Sequence, residues 1–379
     1  MLFAFLPLGI WLVLVFLRGN FWLAQERDDA DAPPAPAIWP SIVAIVPARN
    51  EADVIAHSIG SLLAQDYPGA FHIVLVDDQS SDGTADAARA AAHAQNAGDR
   101  LTILSGGERP PGWVGKLWAV RQGITHATKN HAPDYLLLTD ADIGHTPDNL
   151  RLLVSRAVAG NLVLTSLMAR LHCKSRSEQF LIPAFVYFFA MLFPFSWVND
   201  RARKTAAAAG GCMLVHRVAL EEAGHIDAIK SAIIDDCALA ALMKPVGPIW
   251  LGLTNRAVSL RPYDGLGEIR RMVARSAYAQ LSYSPLKLVG TLGGLALVYL
   301  APPIMAIAAD GPARFAAVFT WALMALSLQP MLRFYRASPF WGLALPLMGA
   351  FYAGFTLDSA IQFWRGRGGM WKGRAQAHI

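Results

Sequence analysis

Four places in this sequence set charged side chains directly behind an apolar run, an arrangement that lets the tip of a strand present chemistry. In Leu138-Thr139-Asp140-Ala141-Asp142, alternation along an extended segment points Asp140 and Asp142 to the same side. Two carboxylates make an incomplete oxygen shell that leaves positions for water and phosphate oxygens, as Mg²⁺ requires in phosphate chemistry. Mn²⁺ suits the same ligands. In Ile233-Ile234-Asp235-Asp236-Cys237, like charges so close push one pKa upward, which suits a general base near neutral pH. Asp235 is also well placed to do no more than cap the helix that follows. In Val76-Asp77-Asp78-Gln79-Ser80-Ser81-Asp82-Gly83-Thr84, carboxylates at a strand tip can accept from a base N–H or a ribose hydroxyl. Asp82 or Ser81 can cap the next helix at the same time. Val46-Pro47-Ala48-Arg49-Asn50-Glu51 offers donors after a strand that Pro47 ends, and a capped loop accounts for it equally well.

Basic and small residues lie between and after these motifs. Lys116 follows Gly115 and can reach a phosphate as a point charge. Arg201, Arg203 and Lys204 precede Ala206 to Ala209 and Gly210-Gly211-Cys212. The small residues permit close backbone approach to a ligand, and the basic trio serves either a diphosphate or lipid head groups. Arg270, Arg271 and Arg275 come just before the last apolar runs, where they can neutralise a departing diphosphate or snorkel to phospholipid. The three cysteines, Cys173, Cys212 and Cys237, are too few and too unpatterned for a disulfide framework or a zinc site.

The elements that must position these groups run from Ser41 to about Tyr263. Ile42 to Val46 is a β-branched run, and Asp53 to Gln65 has helical spacing of apolar residues. Phe71 to Val76 reads as a second strand, followed by an Ala-rich helix from Thr84. Leu101 to Leu104 and Tyr135 to Leu138 read as two more strands. Alternation of strand and helix at this pace implies βαβ units, hence an α/β domain with a mainly parallel, Rossmann-like sheet. Ligands of such sheets bind beyond the carboxyl ends of the strands, where the polar motifs fall.

The rest of the chain reads as membrane-associated. Of 379 residues, 54% are hydrophobic and 16% charged, against about 25% charged in ordinary soluble domains. The net charge of +5 sits largely in short basic clusters beside apolar runs. That setting marks the cytoplasmic edge of a membrane and argues against nucleic acid as a partner. Residues 1–18 contain an apolar run, Leu2 to Leu17, with no Lys or Arg before Arg18, the pattern of an uncleaved anchor whose C-terminal end is cytoplasmic. Residues 19–40 include the Pro-rich stretch Asp28 to Pro40, a semi-rigid spacer. Residues 41–285 are then the soluble domain. Within it Gln179 to Val198, apolar, aromatic and broken by Pro183 and Pro194, reads as a helix at the membrane interface, with a buried core helix as the alternative. Leu286 to Ala309, Phe315 to Leu332 and Phe340 to Phe363 are each near the roughly 20 residues that a span needs. Three crossings would put the tail 365–379 outside, yet its Arg365, Arg367, Lys372 and Arg374 favour the inside. Either one run is re-entrant or the first does not cross.

In order and spacing, Pro47-Ala48-Arg49-Asn50-Glu51, Val76 to Thr84, Thr139-Asp140-Ala141-Asp142 and Ile234-Asp235-Asp236 resemble family 2 glycosyltransferases of GT-A fold. More narrowly, the chain is similar from about Trp39 to Arg374 to the hopene-associated glycosyltransferases of bacterial hopanoid biosynthesis. That likeness runs through Pro111-Gly112-Trp113-Val114-Gly115-Lys116, Ala207-Ala208-Ala209-Gly210-Gly211-Cys212 and the closing Gly368 to Arg374. The resemblance implies a UDP-sugar donor, Mg²⁺ or Mn²⁺, a hydrophobic lipid acceptor such as a hopanoid, and a multi-pass protein of the bacterial inner membrane with its catalytic domain cytoplasmic. Pro47, Arg49 and Glu51 would lie at the nucleotide, Asp77 or Asp78 at uracil or ribose, and Lys116 near the base or phosphates. Asp140 and Asp142 would manage the metal and diphosphate. Asp236 would deprotonate the acceptor for inverting attack, with Asp235 beside it, and Arg271, Arg275, Gly210 and Gly211 would serve the diphosphate or acceptor. Processive relatives carry Gln-X-X-Arg-Trp where this chain has Met272-Val273-Ala274-Arg275-Ser276, which implies a single transfer. Alternatives keep the fold and change the acceptor to a polyprenyl phosphate or a sphingolipid-like alcohol, or make the chain a non-catalytic scaffold.

Overall fold

A computed structural model describes residues 2–369 of the chain. They form two compact units, one of residues 26–172 and 197–262, the other of the residues before 26, residues 173–196 and those from 263 onward. The chain opens on α1 (Leu2–Leu17), which belongs to the second unit.

The first unit is built on a sheet. β1 (Ile42–Ala48), α2 (Ile55–Leu63), β2 (Phe71–Asp77), α3 (Thr84–Ala94), β3 (Leu101–Ser105), α4 (Gly115–Asn130) and β4 (Tyr135–Thr139) follow one another. The four strands pair in parallel in the order β3-β2-β1-β4. Every residue of β1 is buried, because helices cover both faces of a parallel sheet. Ile42, Ala44 and Val46 pack with Ile55, Ile59 and Leu62 of α2. Gly123 of α4 packs so close that a Cβ there would stand 2.6 Å from Ile45 Cγ2 and 3.1 Å from Val76 Cγ2. Gly123→Ala is therefore expected to cost about 1–3 kcal/mol, the scale of overpacking a tight core, read as a lower melting temperature of the purified protein.

Pro47 was expected to end β1, but the strand runs on to Ala48, with Pro47 opposite Val76 of β2. The pairing of β1 with β4 stops at Ile45, so the donor that proline lacks is not needed on that side.

Four strands not expected from the sequence continue the sheet: β5 (Ile143–His145), β6 (Leu164–Arg170), β7 (Cys212–His216) and β8 (Ile249–Ser259). The whole order is β3-β2-β1-β4-β7-β6-β8-β5. β7 runs antiparallel to β4 and β6, β5 antiparallel to β8, and β6 parallel to β8. The interposed helices are α5 (Asn149–Ala159), α6 (Arg176–Leu192), α7 (Phe195–Asn199), α8 (Arg217–Glu222) and α9 (Asp235–Met243). The start of the stretch expected to be a semi-rigid spacer is tied down on β8. Arg27 bridges Leu253, the Asp28 N–H donates to Leu253 O at 3.0 Å, and the Asp28 carboxylate meets Arg256 at 3.0 Å.

The second unit is helical and apolar. The segment expected as one interfacial helix is two helices, α6 and α7. Ser175 and Glu178 form a capping box at the start of α6. Leu181, Ile182, Ala184, Val186 and Tyr187 make its buried face. Tyr187 Oη lies 2.7 Å from Ser327 Oγ, Tyr352 Oη donates to Leu181 O at 2.8 Å, and Phe188 packs edge-on against Tyr299 and Tyr352. α10 (Leu266–Ala274) leads into three helices long and apolar enough to cross a membrane, Pro285–Ala308, Gly311–Tyr335 and Pro339–Trp364. The apolar stretch of α1, Phe5–Leu17, is shorter. Ahead of Pro302-Pro303 the first long helix widens into a π-helical turn at Ala296–Leu300, which relieves the clash of each ring with the preceding turn. Lys372 and Arg374, and the end of the motif from Gly368 to Arg374, lie outside the described residues.

Candidate active site

α4 begins at Gly115, which sets Lys116 in its first turn. α9 begins at Asp235, which sets both carboxylates of the acidic pair in its first turn, where the helix dipole favours negative charge. The two helix starts meet at the end of β4. Lys116 Nζ lies 2.7 Å from Asp140 Oδ1 and 3.0 Å from Asp235 Oδ2. Asp236 accepts from the Gly210 N–H at 3.0 Å and from the Cys237 N–H at 2.7 Å. A Cβ at Gly210 would stand 3.4 Å from Lys116 Nζ and 3.5 Å from Asp236 Oδ2. Gly210 thus admits two side chains of the protein, where a ligand had been expected. At Gly211 a Cβ would crowd Ala169 and Ile143 at 3.0 and 3.2 Å, so that glycine serves packing. Pro47, Lys116, Thr139, Asp140, Gly210 and Asp235 line one cleft.

The charges in this cleft shift one another. Burial, reinforced by Asp235, pushes the Asp236 carboxyl up to about 6, against the opposing pull of Lys116 and the two N–H donors. Burial likewise raises Asp140, with Lys116 opposing and Asp142 and Asp235 reinforcing. Burial alone would lower Lys116, but Asp140 and Asp235 outweigh it and hold the ammonium above its ordinary value. The outcome is one fixed cation and one carboxylate that takes up a proton near neutral pH.

Asp140 and Asp142 lie beyond the strand whose alternation was expected to orient them. β4 stops at Thr139, and the chain turns through Asp140 to Asp142, with the Ile143 N–H donating to Asp140 O at 3.2 Å. Alternation ends with the strand. Asp142 Oδ2 faces Arg261 Nε at 3.6 Å, beyond hydrogen-bond reach. Arg261 follows β8, and its neighbour Leu260 donates to Asp142 O at 2.8 Å. The same guanidinium is hydrogen-bonded to Glu51 and reaches Asp53 at 3.4 Å. Arg261 was missed in the sequence, where it appears only as one arginine in Leu260-Arg261-Pro262.

The other expected site residues have local partners. Asp78 is 1% exposed. Arg49 Nη1 donates to its carbonyl at 2.5 Å and stands 3.7 Å from its carboxylate. Asp77 Oδ1 accepts from the Ser80 N–H; the N-cap of α3 is Gly83, not Asp82 or Ser81 as expected, and Asp82 accepts from the Thr84 N–H one residue further out. Buried His145, also missed, contacts Thr139 Oγ1 at 3.1 Å and Asn149 at 3.0 Å, and Thr139 Oγ1 donates to Gly211 O. Burial lowers this imidazole to about 4, so it stays neutral and ties the end of β4 to the glycine pair. Arg271, on α10, and Arg275, just after it, belong to the helical unit; both are exposed, and Arg271 pairs with Glu268 at 3.2 Å. In the sheet unit Arg203 stacks on Trp197 at 4.9 Å.

Among the described residues no group of three or more His, Cys, Asp or Glu side chains closes round a metal position. The turn instead offers two carboxylates, Asp140 and Asp142, the second held only at ion-pair distance. Hard oxygen donors in that number fit a divalent ion that keeps water or phosphate oxygens as its remaining ligands.

Residues 43–224 match the family model described as glycosyl transferase family 2. Over 104 residues, 27% of this chain and 24% of the relative, the sequence is 33% identical to a 4,4'-diaponeurosporenoate glycosyltransferase of Staphylococcus aureus. Over 151 residues, 39% of this chain and 32% of the relative, it is 29% identical to an N-acetylglucosaminyltransferase of Mesorhizobium japonicum. The chain thus spans about a quarter to a third of the length of these curated relatives. Among solved structures, a mannosyltransferase from Pyrobaculum calidifontis in complex with GDP-Man and Mn²⁺ superposes with a TM-score of 0.58 at 20% identity, covering 95% of this chain and 97% of that one. At that identity the likeness is one of fold. Residues 43–224 therefore carry a family 2 glycosyltransferase domain, set in a GT-A-like α/β fold.

Proposed function

We propose that this protein is a non-processive, inverting glycosyltransferase that moves one sugar from a nucleotide sugar to a hydroxyl of a membrane lipid. The observation that carries the reading is Asp236, a half-buried carboxylate raised to about 6, held by the Gly210 N–H beside the cleft that Lys116, Asp140, Gly210 and Asp235 line. Asp236 takes the proton of the acceptor hydroxyl as its oxygen forms a bond to the anomeric carbon. The bond from that carbon to the nucleoside diphosphate breaks, and the electron pair leaves with the diphosphate. One base and one leaving group suffice for a single displacement. Lys116 supplies positive charge at the cleft wall, where a leaving diphosphate needs it. A divalent cation held by Asp142 and Asp140 would neutralise the diphosphate charge. Arg49, Glu51 and the Asp77-Asp78 tip serve the nucleotide.

A lipid acceptor is supported by the three helices long and apolar enough to span a membrane and by the acceptor named for one relative, 4,4'-diaponeurosporenoate. The likeness to the hopene-associated group favours a hopanoid, a UDP-sugar and the bacterial inner membrane. Nucleoside diphosphate release is the test: the detergent-purified protein with Mn²⁺, a panel of UDP-sugars and GDP-mannose, with and without a hopanoid-containing lipid extract. Release that requires the lipid supports the proposal. No release from any donor, or release indifferent to lipid, overturns it.

The pH dependence follows from the same carboxylate. Only its ionised form accepts a proton, so kcat/KM is expected to rise with pH and level off above about 6. The charge of Asp235 raises Asp236, so Asp235→Asn should move this acid limb to lower pH. A limb that stays in place would detach the profile from Asp236.

A further inference from the structure

Arg261 joins three carboxylates from two parts of the sheet unit: Glu51 and Asp53 after β1, and Asp142 in the turn after β4. Its grip is uneven. Glu51 is hydrogen-bonded and Asp53 is reached at 3.4 Å, while Asp142 stands 3.6 Å from Nε. Pro262 follows at once, and Leu260 is fixed to Asp142 by a backbone hydrogen bond, so the arginine and the carboxylate are kept opposite one another. A guanidinium cannot lose its proton, so this positive charge is permanent.

We infer that Arg261 is a positioning residue, the resident counter-cation of Asp142, which it holds in place and yields to a divalent cation. The inference rests on the reading of Asp142 as a metal ligand. Glu51 and Asp53 retain the arginine when Asp142 changes partner, so the exchange needs no large movement. A permanent positive charge this close also weakens the hold of Asp142 on a metal ion arriving without nucleotide.

The test is binding of Mn²⁺ alone, followed by the electron paramagnetic resonance signal of the free ion. The purified full-length protein is compared with Arg261→Gln, Arg261→Lys, Asp142→Asn and the Arg261→Gln/Asp142→Asn double variant. Arg261→Gln is expected to bind Mn²⁺ about tenfold more tightly than the unaltered protein, the scale of one partly exposed charge interaction, and the double variant should lose that gain. Arg261→Lys keeps a positive charge beside Asp142, so it should gain less, and it serves where Arg261→Gln does not fold. A merely structural arginine would leave affinity unchanged or lower it. Unchanged or weaker binding in the Arg261 variants, with Mn²⁺ binding still lost in Asp142→Asn, overturns this inference and leaves the metal reading standing. Binding indifferent to Asp142 in every variant overturns both.

Discussion

Asp236→Asn is expected to lower sugar transfer by about a thousandfold, within the range for losing a general base, while the protein still binds nucleoside diphosphate. The structure separates the two effects. Asp236 is held by the backbone N–H groups of Gly210 and Cys237, and Lys116 is anchored by Asp140 and Asp235. An amide keeps one carbonyl oxygen to accept from one of those N–H groups, but it cannot take the acceptor's proton. Its NH₂ group faces the other N–H, at about 1–3 kcal/mol for the mismatch. A melting curve taken beside the rate separates that cost from the loss of chemistry. Equal loss of nucleotide binding and transfer would mean that Asp236 shapes the donor pocket and is no base.

Lys116→Met is expected to lower stability by about 1–3 kcal/mol, less than for a fully buried ion pair deprived of one partner, because the side chains of Lys116, Asp140 and Asp235 are 19%, 34% and 20% exposed. Two carboxylates, Asp140 and Asp235, would lose their cation in a site where burial already raises Asp140. Equilibrium unfolding of the purified protein measures the loss. Pairing the change with Asp235→Asn should recover part of it, because residues in one ion network couple. The kinetic effect has a definite sign. Lys116 opposes the upward shift of Asp236, so its removal should move the acid limb of kcat/KM to higher pH, opposite to Asp235→Asn. Stability within about 0.5 kcal/mol of the original, as for an ordinary surface change, would show that Lys116 does not hold the two carboxylates.

Much of this site is legible in the sequence because its residues sit at element ends that apolar runs mark. Ile233-Ile234 announces Asp235 and Asp236, Tyr135 to Leu138 announces Asp140, and Gly115 starts the helix that carries Lys116. The parallel half of the sheet is legible for the same reason, since β1, β4 and the middle of β2 are buried and read as continuous apolar runs. β5 is three residues long and has no run to read. β8 carries Thr254, Asn255 and Arg256 within it, which breaks the apolar pattern of a strand. The partners of the carboxylates were not legible either. Glu51 and Arg261 are 210 positions apart in sequence, and no local pattern pairs them. At Asp140-Ala141-Asp142 the strand ended earlier than the apolar run implied, since β4 stops at Thr139 and a turn follows.

The most direct measurement is mass spectrometry of the lipids after incubation of the detergent-purified protein with Mn²⁺, the donor panel and a hopanoid-containing extract. The expected product is a lipid species heavier by a single sugar residue, absent when Asp236→Asn replaces the unaltered protein. A lipid carrying a lengthening series of sugars, or one formed equally well by Asp236→Asn, would contradict the proposal.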